Sequence, residues 1–248
     1  MVYSNLPVSV EATDLLPDSV SVSYSTNSSV RRKLGGDVDG FGFNAGLGVD
    51  ISINFLLGQN GADFLLDTNN LTGALAYNVS VGNNTFSDCY LNSYDITVVP
   101  FQPVVVKADF TSYDPVELVP IAPTPNPLDN NDSFVYSHTG VLVGDIPSLL
   151  TNATYNKRYS RTPVYTLGSI QPVRQLIDEV EAELTVESTG IDSLINYSGK
   201  KITADFGVTL SADHDIIVAS GSHILDQSYD MQGGGALSTT MRIREIIL

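Results

Sequence analysis

Short stretches in which apolar and polar residues alternate strictly are the main pattern in this chain. The clearest run from Ser19 to Ser25 and from Val49 to Phe55, with Ser, Asp or Asn at the polar positions. Alternation with period two is typical of half-buried β-strands. Similar stretches lie at 103–110 and 238–246, and no long amphipathic helical pattern occurs. We therefore expect a mainly β protein.

Two segments are less clear. Val173, Ile177 and Val180 would share one face of a helix, whereas the alternation through Val186 favours a strand. We expect a short helix or turn near Pro172 and a strand from about Val180. We expect a loop over 149–156.

A short sequence occurs twice and suggests an internal repeat. Ser93-Tyr94-Asp95 precedes the strand at 103–110, and Ser228-Tyr229-Asp230 precedes that at 238–246, which is a shift of 135 residues. Further upstream a shift of 133 places apolar residues on apolar ones, Val49, Ile51 and Ile53 falling on Ala182, Leu184 and Val186. Repeats must be tested first because they change the whole interpretation of a fold. We expect two related β-sandwich or barrel units, with small insertions between them.

Prolines indicate where such units would end. Five prolines lie within 112–131, a density that excludes a central strand and favours an extended linker. Residues 1–18, with Pro7 and Pro17, are expected to form an extended arm. The two β units would then span 19–111 and 132–248, although a single intertwined domain is also compatible with this length.

Acidic residues dominate the charge. The chain has 28 Asp and Glu against 12 Lys and Arg, a net charge of −16. This argues against a partner bound through its phosphates and suits a surface that DNA passes without sticking. Glu181, Glu183 and Glu187 share one strand face with no cation among them, and Asp50 lies on the matching strand. That face is either an ordinary solvent face or one selected to be negative.

The basic residues are concentrated at one place. Arg31, Arg32 and Lys33 form the densest basic cluster. Such a cluster lies either on a solvated strand edge or at an interface with an acidic neighbour.

Residues for catalysis or metal binding are few. Cys89 is the single cysteine, which excludes an intramolecular disulfide and a thiolate metal cluster. His214 lies between two aspartates but has no histidine partner at metal-ligand spacing. No nucleophile elbow or phosphate loop occurs. The N-terminus lacks the features of a signal peptide, and no apolar run is long enough to span a membrane. We expect no enzyme activity, no cofactor, no metal and no membrane partner.

Several stretches together resemble the tail tube proteins of tailed bacteriophages. They are Ser19–Tyr24, Val30–Gly35, Ser93–Asp95, Phe110–Pro115, Pro163–Gly168, Ile195–Gly199 and the segment from Ser220-Gly221 to the last strand. The resemblance implies β-barrels or sandwiches that stack as rings into a tube with an acidic lumen for DNA. Six copies of one domain usually form such a ring, and a duplicated chain could form one from three subunits.

The resemblance also implies partners and a location. The partners would be further copies of this chain in rings and tubes, other tail proteins, and genomic DNA that passes without sequence-specific binding. The protein would assemble in the host cytoplasm and reside in the phage tail of the virion. Asp50, Glu181, Glu183 and Glu187 would face the lumen, and Arg31, Arg32 and Lys33 would lie between subunits.

Other functions remain open from the sequence. A tail hub, cap or terminator would look similar, as would a baseplate, capsid-decorating or receptor-binding β protein. An enzyme that uses carboxylates is a third possibility.

Overall fold

The chain is described by a computed structural model over most of its length. Described are residues 7–11, 13–32, 38–57, 75–114, 142–143, 150–167, 169, 171–189, 199, 206–211, 214–218, 222–231 and 237–247. Every regular element among these residues is a β-strand. The expected mainly β fold is confirmed.

Among the described residues, six strands lie in the first half of the chain and seven in the second. The first six are β1 (Val8–Val10), β2 (Thr13–Arg32), β3 (Val38–Leu56), β4 (Ala76–Val81), β5 (Asn84–Val98) and β6 (Val105–Ser112). The others are β7 (Leu142–Val143), β8 (Leu150–Val164), β9 (Arg174–Thr189), β10 (Phe206–Ser211), β11 (His214–Val218), β12 (His223–Met231) and β13 (Leu237–Ile247).

The first six strands form a closed barrel. Their order is β5-β4-β1-β2-β3-β6, all neighbours are antiparallel, and β6 pairs back with β5. A closed barrel leaves no unpaired edge where its strands meet. Each of the six strands is therefore paired on both sides along part of its length.

Strand β5 is the branch point between the barrel and the second half. Its residues 84–90 pair with β4, whereas residues 93–98 pair with β8, and β6 lies on the other side. From β8 the sheet continues through β9 and β13 to β12. Eight strands thus form one continuous sheet in the order β2-β3-β6-β5-β8-β9-β13-β12, which we call the long sheet. Strands β7, β10 and β11 form a separate three-stranded sheet.

One hydrophobic core runs under the long sheet. Alternate residues are buried, as the period of a strand requires. In the barrel they include Ile51, Ile53, Phe55, Val79, Tyr94, Ile96 and Phe110, and in the second half Val180, Ala182, Leu184, Val186, Met241 and Ile243. All belong to a single cluster. Full burial of each large aliphatic side chain contributes about 1.5–3 kcal/mol.

The extended arm predicted for residues 1–18 is not confirmed. Strand β1 is inserted between β4 and β2, and Val8, Val10 and Leu15 are at most 2% exposed in the barrel core. Residues 1–6 lie outside the described part. Most of the predicted arm is therefore a component of the barrel, because its three buried side chains complete the apolar interior.

Two local expectations in the second half were wrong. Residues 150–156 form the start of β8 rather than a loop, and Ala153 and Tyr155 on this strand are buried. Strand β9 begins at Arg174, six residues before the expected start. The bends at Gln171 and Val173 agree with the expected turn near Pro172 and not with the helix alternative. Of the proline-rich connection, 112–131, only residues 112–114 are described, and Ser112 ends β6.

Candidate functional site: the polar face of the long sheet

The outward side of the long sheet carries rows of polar residues from neighbouring strands, which we call the polar face. One row of paired residues consists of Asn54, Lys107, Asp95, Asn156, Glu183 and Arg244. The next consists of Ser52, Asp109, Ser93, Arg158 and Glu181. Because the buried residues alternate with these, the polar face follows directly from the strand period.

The barrel half of the polar face is held by short contacts. Ser93 Oγ donates a hydrogen bond of 3.0 Å to Asp109 Oδ2, and Lys107 Nζ lies 3.3 Å from the same oxygen. Asn156 on β8 donates from Nδ2 to Asp95 Oδ1 on β5. This last bond ties the barrel to the second half across the branch point.

Arginines on β13 neutralise two of the predicted lumen-facing glutamates. Arg244 Nη2 lies 2.6 Å from Glu181 Oε1, and Arg242 Nε lies 3.9 Å from Glu183 Oε1. Arg242 Nη2 is also 2.5 Å from Asp226 Oδ2 on β12. No cation lies among these glutamates on their own strand, and the arginines beside them come from a neighbouring strand that is distant in sequence.

The other two predicted lumen-facing acids have different surroundings. Glu187 is exposed, pairs with Asn152 and Thr240, and has no cation within 4 Å among the described residues. Asp50 Oδ1 accepts a hydrogen bond of 2.7 Å from Thr111 Oγ1. All four acids thus share the polar face, but β6, β5 and β8 separate Asp50 from the glutamates of β9.

The polar face is less acidic than the whole chain. Its rows from β3 to β13 contain seven carboxylates and four cations: Asp50, Asp95, Asp109, Glu179, Glu181, Glu183 and Glu187 against Lys107, Arg158, Arg242 and Arg244. The face is therefore only weakly negative, although the chain carries −16.

The predicted inter-subunit cations lie away from these rows. Arg31 and Arg32 are the last residues of β2, and their backbones pair with Gly40 and Val38 of β3. Their side chains and Lys33 lie outside the described part. The two arginines thus belong to the end of the β2–β3 hairpin, far along the strand from the rows of the polar face.

Beneath the polar face, tyrosines and two cations hold β5 and β8 together. The rings of Tyr94 and Tyr155 are 5.8 Å apart between centroids, and a hydrogen bond joins their side chains. Lys157 Nζ lies 5.4 Å from the centroid of Tyr159, and Arg161 Cζ lies 5.2 Å from it. Such cation–π contacts are strongest where water is excluded.

Burial shifts the pKa values in this junction. Burial raises the pKa of Tyr155 to about 12 and the pKa of Tyr94 and Tyr159 well above the usual value for tyrosine. Burial also lowers the pKa of Lys157, which Glu245 partly counteracts. The sequence did not predict this cluster, since 149–156 was expected to be a loop and Tyr155 falls within it. Tyr155, Lys157 and Tyr159 are two residues apart, which is the spacing of one strand face.

Metal-binding groups and the single thiol bear on the chemistry expected from the sequence. No group of three or more His, Cys, Asp or Glu among them is placed to hold a metal ion. Burial raises the pKa of the Cys89 thiol to about 12, and Cys89 Sγ lies 3.2 Å from the carbonyl oxygen of Phe86. A thiol with that pKa is not a nucleophile at neutral pH. In the described part of the chain, no helix has the length and apolarity to cross a membrane.

Comparison with known proteins gives no relative: no protein-family model and no curated protein matches the chain.

Proposed function

We propose that this chain is a structural subunit of a bacteriophage tail tube, which assembles into stacked rings and lines a channel for DNA with its polar face. The observation that carries the proposal is a recurrence of strand register along the long sheet.

The pairing of β3 with β6 recurs in β9 and β13. All eight residue pairs of β3–β6 become pairs of β9–β13 when both members are shifted by 133 residues; Ile51 with Phe110, for example, becomes Leu184 with Ile243. The β2–β3 pairs from Ser19 to Tyr24 become β8–β9 pairs with the same shift. This recurrence supports an internal duplication of a four-stranded unit, β2-β3-β6-β5 and β8-β9-β13-β12.

Irregularities in the strands recur as well. The shift of register between Leu91 and Ser93 in β5–β6 has a counterpart between Ile224 and Asp226 in β12–β13. The shift between Pro17 and Ser19 in β2–β3 has one between Leu150 and Asn152 in β8–β9. Hydrophobic alternation alone does not place bulges, and they are retained within families. Their recurrence at the same spacing therefore favours duplication over a chance likeness of pattern.

The repeated Ser-Tyr-Asp stretch does not follow this register. Tyr94 pairs with Ala108, and the shift of 133 carries this pair onto Gln227 with Met241. Tyr229 instead pairs with Thr239. The equivalence of Tyr94 and Tyr229, which requires a shift of 135, is therefore wrong by two residues, and no insertion is needed between the strands.

A duplicated unit suits a closed ring. Each chain supplies two four-stranded units in one sheet, so three chains would supply six units. Cyclic association of identical chains closes when each subunit joins the next through the same pair of surfaces. Closure would also pair the outer strands of the long sheet, which natural proteins otherwise protect.

The charges of the polar face suit a lining that DNA slides past. Lys107, Arg242 and Arg244 are held by carboxylates on the same face. A cation engaged in this way is less able to replace the counterions of DNA phosphates, which is the main source of non-specific binding. Unengaged carboxylates such as Glu187 add weak repulsion.

Electron microscopy of the purified full-length protein tests the proposal. We expect negative-stain images at high protein concentration to show rings or tubes with a central channel. A protein that stays monomeric would overturn the proposal. Compact trimeric spikes that bind glycans or cells would also overturn it, in favour of a receptor-binding part of the virion.

A further inference from the structure

The two outer strands of the long sheet have edges that are open among the described residues. Beyond its short pairing with β1 at residues 13–15, β2 is paired there only with β3. Strand β12 is paired there only with β13. The carbonyl of Ile224, near the start of β12, accepts a hydrogen bond of 2.8 Å from the Gly199 N–H, and residues 226–231 lie beyond that contact.

The chain contains an internal template for joining such edges. Strands β5 and β8 pair from Ser93 with Arg158 to Val98 with Ala153. In the recurring register, β5 corresponds to β12 and β8 corresponds to β2. The internal junction thus joins the end of one unit to the start of the next. Among the described residues, the same two edges are open at the ends of the long sheet.

We propose that β12 of one copy pairs antiparallel with β2 of the next copy, in the register of the internal β5–β8 junction. Residues of β5 are moved forward by 133 onto β12, and residues of β8 are moved back by 133 onto β2. This pairs Asp226 with Ser25, Ser228 with Ser23, Tyr229 with Val22 and Met231 with Val20. The inference rests on the proposed ring, and it adds the strands, their direction and their register.

The apolar sides of the two edges fit this register. On this side, Tyr24 of β2 is 47% exposed and Met231 of β12 is 72% exposed. Val20 and Val22 of β2 are already partly buried against the core. At the internal junction the corresponding positions, Lys157 and Val98 among them, are at most 6% exposed. Pairing of copies would bury the exposed apolar side chains as the internal junction does.

The polar sides fit as well. Ser21, Ser23 and Ser25 would lie opposite Asp230, Ser228 and Asp226. Hydroxyl groups opposite carboxylates can donate hydrogen bonds and avoid like-charge pairs across the strands. A slip of one residue would turn the aspartates toward Tyr24 and Val22 and is disfavoured, because every side chain of the strand would change face.

Cross-linking between engineered cysteines tests the register. The matched variant is Ser23→Cys with Ser228→Cys, and the mismatched control is Ser21→Cys with Asp226→Cys, which uses the same polar side but places the cysteines four residues apart along the strands. A short bismaleimide at neutral pH is the probe. The buried Cys89 is expected to stay unmodified, since its thiol is buried and protonated.

We expect the matched variant to give a ladder of covalent oligomers on denaturing gels, at least fivefold more than the mismatched variant and either single-cysteine variant. Microscopy of the same samples separates the possible failures. Rings with cross-links only in the mismatched variant, or in neither, overturn the register but leave the proposed function standing. A matched ladder in open filaments without a channel supports the register and overturns the tube. Monomers without any ladder overturn both.

Discussion

Single residues at the β5–β8 junction decide how the two halves of the chain are held together. Tyr94, Tyr155 and Tyr159 provide large apolar surfaces, and Lys157 and Arg161 lie over tyrosine rings. Buried cations are costly unless their surroundings compensate them. Here aromatic faces and the charge of Glu245 provide that compensation.

The tyrosine cluster predicts a loss of stability at alkaline pH. Each folded-state pKa is raised above the unfolded value of 10, so the unfolded chain releases its protons first as pH rises. The stabilisation is complete below about pH 10 and for Tyr155 is lost progressively toward pH 12, at up to about 1.4 kcal/mol per pH unit. The lowered pKa of Lys157 has the opposite effect, since it makes stability rise with pH. This effect ends near the ordinary lysine pKa of 10.5.

Urea unfolding of a Tyr155→Phe variant between about pH 9.5 and 11.5 checks this prediction. We expect the variant to be less stable than the parent by about 1 kcal/mol at the lower pH, because the hydrogen bond with Tyr94 is lost. We expect its stability to fall less steeply with pH, because one titrating group is gone. Equal slopes in the two proteins would show that the pKa of Tyr155 is the same in the folded and unfolded states.

Sequence could predict most strands, because their buried and exposed residues alternate. Val49–Phe55 is a direct example: its odd positions are the buried ones. Sequence could not place β1, since three residues between polar and proline-containing neighbours carry too little pattern. Nor could it predict that Arg242 and Arg244 neutralise Glu183 and Glu181, because the contact depends on which distant strand becomes the neighbour of β9.

The three-residue strand β1 lies between β2 and β4, so substitutions in it test whether the barrel is closed. Val10 is fully buried in β1, whereas Ser9 points to the other side of the same strand. We expect Val10→Ala to lower the free energy of unfolding by about 2 kcal/mol, because it leaves a cavity in the barrel core. Ser9→Ala is the matched control and should change it by less than about 0.5 kcal/mol.

Chemical denaturation of the two variants measures both values. An extended arm would predict a different outcome, in which Val10→Ala leaves stability unchanged and affects assembly alone. For the same reason, a deletion of residues 1–18 would affect more than an arm. Such a deletion removes β1 and part of β2, and would therefore unfold the barrel as well as prevent assembly.

At the scale of the whole molecule, the distribution of charge matters more than its total. The chain carries −16, but three carboxylates of the polar face, Asp109, Glu181 and Glu183, lie beside cations of the same face. Sequence could predict the acidic total and the shared face of Glu181, Glu183 and Glu187. It could not predict the balance, which arises only when β13 lies beside β9.

Reversing charge on β9 tests whether the polar face lines a DNA channel. A double variant, Glu183→Lys with Glu187→Lys, adds two cations and also removes one of the two carboxylates beside Arg242. Both sites are at least partly exposed, so we expect the fold and the ring to persist. The unpaired cations should instead bind DNA phosphates and hold the duplex in the channel.

Two measurements check this expectation. Assembled variant tubes should retain duplex DNA in a gel-shift assay at about 50 mM salt and release most of it at about 200 mM, since phosphate contacts weaken steeply with salt. Phage particles carrying the variant should lose infectivity while keeping normal tails. The matched Glu183→Gln, Glu187→Gln variant removes the same carboxylates but adds no cation, and should neither retain DNA nor lose much infectivity. Full infectivity of the lysine variant in intact tails would mean that β9 does not face the DNA, and the polar face would then have to lie on the outside of the assembly.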